Sequence, residues 1–564
     1  MDYEYLKLKE KLDTPDGKRL FERLEREYLE KYANTPMDAL DYREFKLVYK
    51  TGNRSEFERK FFQSRRRLTL LQVLALGDDK YLDDLEDIIA NICDKYSWVL
   101  PAHSHQKDGK FDYSFIDLYS AETAFYLSEN FYVFWDKLSL DIRERIKYSL
   151  KTKVLDFFEN RTFWWEKEEG TNWTSACACS VGIAYLYAFP ERFVLVKDRI
   201  LKNCEYYLNG LRSVGVCEEG LSYWWYGFGF TCFFLDLYKQ KYGKLPDFVY
   251  SKKVERTLQY RMNGIIEGRQ FPFADASSAV LEDYPIAELT IKKLFPEFVL
   301  PDYDFIGKAH SGVKALFIRL IDAIGRFENE TCKVEKSAKQ STYLYEDSQI
   351  FIANKEKYLF LTKGGHNQEM HNHNDVGGFA FYVGGKRIIA DLGAGEYTWE
   401  YFNDPVARYG EEIFCCGSRS HSVPIIDGDY QKFGRDKKAE TLAVRESGIK
   451  FEIMSAYGIA DESLTVDYEC QDDGIRVKYA FKGKNRQITF RFVSDYEPKL
   501  VGDKVFIENV QILCSEKSET TYQKHIWKEH SGKDAVAYAL DFATSPSEER
   551  EIEFEFLIKS ERGE

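Results

Sequence analysis

Nine histidines are spread over the chain, and four of them fall between His366 and His421. In that stretch His371-Asn372-His373, Asp391 and His421 offer imidazoles and a carboxylate, a common ligand set for zinc that also suits manganese or iron. On a strand, residues two apart share a face, so His371 and His373 are expected to project together. Downstream, Phe379, Phe381 and Val383 alternate with Ala380 and Tyr382, Gly384-Gly385 supplies a two-residue turn, and Arg387-Ile388-Ile389-Ala390 returns. This predicts a β-hairpin that brings Asp391 opposite Gly378, near the open end that holds His373. His421 must then arrive from a separate segment, Ser418-Arg419-Ser420-His421-Ser422-Val423-Pro424. An isolated HxH is weak by itself, and Asp391 read alone is a turn residue before Gly393.

The elements that position these residues change character along the chain. Up to about residue 330 apolar residues recur at helical spacing, as in Phe115–Phe125 and around residues 141–158, 176–189, 193–211 and 228–242. The connections carry polar-aromatic clusters beside Gly or Pro: Trp98 to His103, Trp164-Trp165 ahead of Gly170-Thr171-Asn172-Trp173, and Glu219 to Gly227. Such loops on a helical scaffold are where binding residues concentrate. After about residue 340 the period becomes two. Gln487–Val493 and Glu551–Phe556 alternate as half-buried strands do, and the polar, aperiodic stretch within 325–345 marks the boundary. The expected architecture is a helical domain over 1–335 and an antiparallel β-sandwich over 336–564.

A length of 564 residues exceeds one ordinary domain, and the 44% hydrophobic content suffices for sizeable cores. The formal charge of -14 argues against nucleic acid as a partner, because phosphate recognition needs clustered Lys and Arg. It leaves room for an anionic ligand in a local basic cleft. No stretch approaches a membrane span, and the charged N-terminus lacks the apolar run of a secretory signal, which gives a cytoplasmic expectation. Eleven cysteines without a regular framework fit reduced thiols. The aromatic share of 16% is high and suits either stacking on sugars or helical cores.

His371-Asn372-His373-Asn374-Asp375, then Gly378-Phe379 and Ala390-Asp391-Leu392-Gly393-Ala394-Gly395-Glu396-Tyr397, resembles the C-terminal signature of the heparinase II/III-type polysaccharide lyases. Ser420-His421-Ser422-Val423-Pro424-Ile425-Ile426-Asp427-Gly428 is similar to the histidine-bearing strand that follows in that family. The resemblance implies an incomplete (α/α) toroid joined to a β-sandwich over most of the chain. It implies that His373, Asp391 and His421 hold a structural divalent metal, zinc or manganese, and that His371 faces the substrate. Asn172 resembles the residue that contacts the substrate carboxylate, and Tyr226, before Gly227, is similar to the catalytic tyrosine, with Tyr223 the other candidate. Trp173, Trp225, Glu219, His103 and Arg419 are then expected around an anionic polysaccharide or oligosaccharide. Each has a structural alternative: Asn172 as a helix cap, Tyr226 and the tryptophans as core, Glu219 as the partner of an Arg.

The implied chemistry is β-elimination at a uronic acid, yielding an unsaturated uronyl product from glycosaminoglycans such as hyaluronan, chondroitin sulfate or heparan sulfate, or from alginate-like uronans. A group must neutralise the carboxylate beside C5 as charge builds there, a base must take the C5 proton, and an acid must protonate the leaving oxygen. Either Tyr226 performs both proton transfers, helped to ionise by a cation, or His371 is the base and Tyr226 the acid. Two other classes compete. Helical toroids also carry glycoside hydrolases, for which Asp117, Glu122, Glu218 and Glu219 could supply a carboxylate pair. A non-catalytic glycan-binding protein is the third.

Overall fold

The structure, a computed structural model, describes residues 2–37, 42–104, 111–266, 269–270, 273–276, 284–300, 317–324, 341–410, 412–502 and 504–559. Residues 325–340, which carry most of the expected boundary, lie outside them, as does His105, which with His103 follows Pro101 and is read as a candidate for the binding site. The chain divides into two compact units. One comprises Met1–Leu211, Ser222–Met262 and Val280–Glu335; the other comprises Arg212–Leu221, Asn263–Ala279 and Lys336–Glu564.

The first unit is helical. At its rim, Pro15–Lys31 starts at Thr14, whose hydroxyl accepts from the Gly17 N–H, and buries Leu20, Leu24 and Tyr28 at intervals of four. At its centre, Leu118–Val133 and Asn172–Ala188 are buried on nearly every side, and the first takes Glu122 and Glu129 into the interior, where Arg65 and Arg319 pair with them. Small residues in the second permit close approach: a Cβ on Gly182 would stand 2.8 Å from the Phe234 ring of the neighbouring helix Leu221–Tyr242. The helix expected over 141–158 is interrupted, because Lys151–Leu155 forms a π-turn between Leu140–Leu150 and Asp156–Asn160. Among the described residues no helix is long and apolar enough to cross a membrane.

The second unit is built from antiparallel sheets. Ser341–Tyr345, Ile350–Asn354, Tyr358–Lys363, Gly378–Val383 and Lys386–Ile389 form a meander. A larger sheet contains Ser463–Gln471, Gly474–Arg486 and Ser547–Ile558, and a four-stranded one contains Pro424–Ile426 and Ile488–Ser494. Ser463–Gln471 alternates strictly between buried and half-buried positions, as a strand with one wet face should. Inner faces meet through aromatic rings: Phe379 of the meander lies 5.4 Å from Tyr468 and 5.6 Å from Phe556 of the larger sheet, and 6.0 Å from Phe492 of the four-stranded sheet.

The expected hairpin is present. Gly384 and Gly385 both have positive φ, 54° and 74°, which a two-residue turn of this kind requires. Its register differs from expectation: a bulge between Phe381 and Tyr382 pairs Phe381 with Ile389, and the returning strand ends before Asp391. Asp391 is therefore carried past the ladder instead of pairing with Gly378. Gly378–Val383 is buried at all six positions, so its alternation reflects two covered faces.

Candidate functional site

Residues 371–377 are irregular and not a strand, which corrects the expectation that His371 and His373 share a strand face. His371 adopts φ of 55°, in the left-handed region that a side-chain-bearing residue occupies only when its surroundings enforce it. Those surroundings are buried polar clamps. Gln431 Oε1 accepts from the Val376 N–H at 3.0 Å and its amide donates to the Val376 carbonyl at 2.8 Å. The Asn374 N–H donates to the Cys416 carbonyl at 2.9 Å, and the Ser418 hydroxyl to the Asn374 carbonyl at 2.6 Å. Val376 and Phe379 then root the segment in the core.

The two histidines meet through a residue that the sequence did not single out. Asp275, fully buried, accepts from His371 Nδ1 at 2.7 Å on one oxygen and from His373 Nε2 at 3.0 Å on the other. Tyr401 donates to the same oxygen as His373, Tyr397 donates at 3.2 Å to the oxygen facing His371, and Arg408 lies 3.5 Å from that oxygen. The Asp275 N–H also donates to the His371 carbonyl at 3.2 Å. Burial alone would raise the Asp275 pKa, but the hydrogen bonds and charge of the two histidines outweigh it and hold the carboxyl well below its ordinary value.

His373 shares two sets of possible metal donors. One joins it with Asp275 and Cys416, the other with Asp391 and His421; within each set the donor atoms lie within 4.8 Å of one another, and all the residues are buried. The hydrogen bonds distinguish them. Asp275 has its lone pairs taken by the donors already named. In the second set, His421 Nε2 donates to the Cys415 carbonyl at 2.9 Å, which leaves Nδ1 as its basic nitrogen, 3.7 Å from Asp391. His373 Nδ1 is buried and has no hydrogen-bond partner. Two imidazoles and a carboxylate with donor atoms this close together fit a divalent cation, which would satisfy the otherwise orphaned His373 Nδ1 if that nitrogen binds it. Burial raises the Asp391 pKa while nearby His421 opposes the rise.

In the helical unit Asn172 is buried at the first position of its helix. The residue before it, Thr171, occupies the cap, and its N–H donates to Thr174 Oγ1 at 3.1 Å. Asn172 is therefore not the cap. Half-buried Trp173 packs its ring against Trp164 at 5.1 Å and His103 at 4.9 Å. His103 Nδ1 is held 2.9 Å from Asp117, which also caps Leu118–Val133 through the Ser120 N–H. The Tyr226 hydroxyl donates to buried Glu122, which Arg65 pairs at 2.6 Å. Burial first, and the Glu122 charge second, push the Tyr226 pKa well above its ordinary value. Arg65 lies one step from Tyr226, through Glu122.

Other expected residues fall elsewhere. Trp225 is 1% exposed and so presents no face to a ligand, a correction with a simple cause: residues 224–235 of Leu221–Tyr242 are buried on every side. Trp165 and Trp224 are core as well, their indole N–H groups donating to the Ile116 carbonyl and to Thr257. Tyr223 is half-buried and Glu219 buried. Arg419 stands over the Phe414 ring at 5.3 Å. Of the carboxylates a hydrolase could use, Asp117 is spent on a cap, Glu122 on Arg65 and Glu218 on Arg212.

No protein-family model and no curated protein matches the chain. Solved structures do. A mutant of the heparan sulfate lyase of Pedobacter heparinus superposes with a TM-score of 0.61 at 12% identity, covering 96% of this chain and 88% of that one. A heparinase III gives 0.61 at 13% identity, with 97% and 93% covered. The chondroitin AC lyase of Streptomyces coelicolor A3, solved with chondroitin sulphate, gives 0.59 at 10% identity, with 99% and 83% covered. The chain thus has the fold of the heparinase-type polysaccharide lyases, a helical toroid region followed by antiparallel β-structure, as the sequence resemblance implies.

Proposed function

We propose that this protein is a lyase that cleaves uronic-acid-containing polysaccharides or oligosaccharides by β-elimination, with glycosaminoglycans the first substrate class and alginate-like uronans the second. The observation that carries the reading is His371, strained in backbone and seated on a buried carboxylate, beside a compact His373–Asp391–His421 donor set. The fold shared with polysaccharide lyases supports it.

In this reading Asn172 donates its amide N–H to the uronate carboxylate, stabilising the charge that develops when the C5 proton leaves. The Nδ1 proton of His371 is held on Asp275, which makes Nε2 the base that takes the C5 proton. The electron pair forms the C4–C5 double bond, the C4–O bond breaks, and Tyr226 protonates the departing oxygen. Assigning the acid to Tyr226 follows from its raised pKa, which keeps the phenol protonated. Trp173 and His103 contribute an aromatic surface beside Asn172.

His373, Asp391 and His421 would hold a divalent ion, zinc or manganese. When bound it supplies fixed charge that orders the loop carrying His371, and every proton transfer above uses side chains alone. The test is incubation with hyaluronan, chondroitin sulfate, heparan sulfate and alginate while ultraviolet absorbance is followed. A rise from the conjugated uronyl product supports the reading; new reducing ends without that rise would assign a hydrolase instead.

A further inference from the structure

The Asp275 carboxylate reaches two histidines for which the reading above has different uses. It lies in a short segment, Phe273-Ala274-Asp275-Ala276, far from either in sequence, and Ala274 before it has φ of 61°, while the Asp275 N–H donates to the His371 carbonyl. We propose that Asp275 is a positioning residue that fixes the tautomers of both histidines at once: His371 protonated on Nδ1, leaving Nε2 to act as base, and His373 protonated on Nε2, leaving Nδ1 to bind the metal. The role of His371 rests on the lyase reading; the role of His373 rests on the reading of His373, Asp391 and His421 as metal ligands.

A neutral imidazole has one donor and one acceptor nitrogen, so whichever nitrogen meets an ionised carboxylate keeps the proton. Asp275 presents one oxygen to each ring, at 2.7 and 3.0 Å. The opposite nitrogen of His373 is the buried, unpartnered Nδ1. Tyr401 and Tyr397 donate to the same two oxygens and keep the carboxylate acceptor-only. Carboxylates behind a metal-bound histidine are a recurrent outer-shell device. What is specific here is that a single carboxylate also serves a second histidine two residues away, so loss of Asp275 should damage metal retention and proton transfer together.

Asp275→Asn is the discriminating substitution. It is nearly isosteric, but its amide can accept on only one side and must donate on the other, which forces one imidazole into the wrong tautomer. Zinc affinity, measured by competition with a chromophoric chelator, should fall roughly 10- to 100-fold, and kcat on the uronan cleaved by wild type should fall about 10²- to 10⁴-fold with little change in KM. Excess zinc should refill the site without restoring kcat. Asp275→Glu, which retains two acceptor oxygens, should recover part of the zinc affinity; a merely space-filling residue would show the reverse order, Asn milder than Glu. If either variant fails to fold, nitrogen-15 spectra of histidine-labelled, zinc-loaded wild type decide the matter through the protonated nitrogen of each ring. Wild-type zinc affinity in Asp275→Asn, or the opposite tautomer at His373, overturns the proposal. A wild type inactive on every uronan but with the zinc and spectral results intact would remove the lyase reading and the base role of His371, leaving the metal half standing.

Discussion

Replacing Arg65 by Met tests the electrostatics beneath Tyr226. Arg65 is 4% exposed and Glu122 fully buried; the guanidinium donates to Glu122 at 2.6 Å, to the Tyr119 carbonyl at 2.5 Å and to Thr123 at 2.9 Å. It also stands 4.9 to 5.3 Å from the Phe61, Tyr119 and Tyr126 rings. Met fills most of that volume and removes every donor. Glu122 is then left with the hydroxyls of Tyr126 and Tyr226. Breaking a buried pair from one side typically costs about 3–5 kcal/mol, because the remaining charge is uncompensated. The urea midpoint of the helical signal should shift accordingly with little change in slope. Removing both charges, Arg65→Met with Glu122→Leu, should recover much of the loss. A loss under about 1 kcal/mol for the single variant, or a double variant worse than the sum of the two singles, would refute the claim that this pair is a desolvated, mutually dependent unit.

Four further outcomes follow. Tyr226→Phe should lower kcat by about 10²- to 10⁴-fold, whereas Tyr223→Phe should act mainly on KM; steady-state kinetics with the cleaved uronan separates them. Asn172→Ala should cost about 10²- to 10³-fold in kcat, the usual loss on removing one donor to a developing anion. Because the Tyr226 pKa is raised, its acid form persists beyond the ordinary tyrosine range near 10. The kcat profile should therefore show no alkaline loss from this residue until above about pH 10, and a loss near pH 8 abolished by Tyr226→Phe would contradict the assignment. Chelation should lower the melting temperature of wild type, and zinc at 100 times its Kd should return about 2.7 kcal/mol of stability. His421→Ala should abolish that response.

The period change from helix to strand and the Gly384-Gly385 hairpin are legible because each is a local pattern, whereas the grouping of His373, Asp391 and His421 follows from the family resemblance and not from spacing. The strand geometry imagined for His371 and His373 was not, because a buried Gln431 and several backbone bonds bend that segment away from the sheet. Asp275 could not be found by spacing: its partners lie 96 and 98 residues away, and an Asp between two alanines carries no signature. Trp225 illustrates the limit of composition, since a tryptophan in a polar-aromatic cluster reads the same whether it faces a ligand or the core. By residue type Glu122 is a possible catalytic carboxylate, but its pairing with Arg65 depends on packing between helices that periodicity alone does not specify.

The account stands on the reaction itself. Purified protein loaded with zinc and given hyaluronan, chondroitin sulfate, heparan sulfate and alginate in turn should raise ultraviolet absorbance with at least one of them, and His371→Ala should abolish the rise. Chain shortening without any absorbance change, or undiminished product formation by His371→Ala, would contradict it.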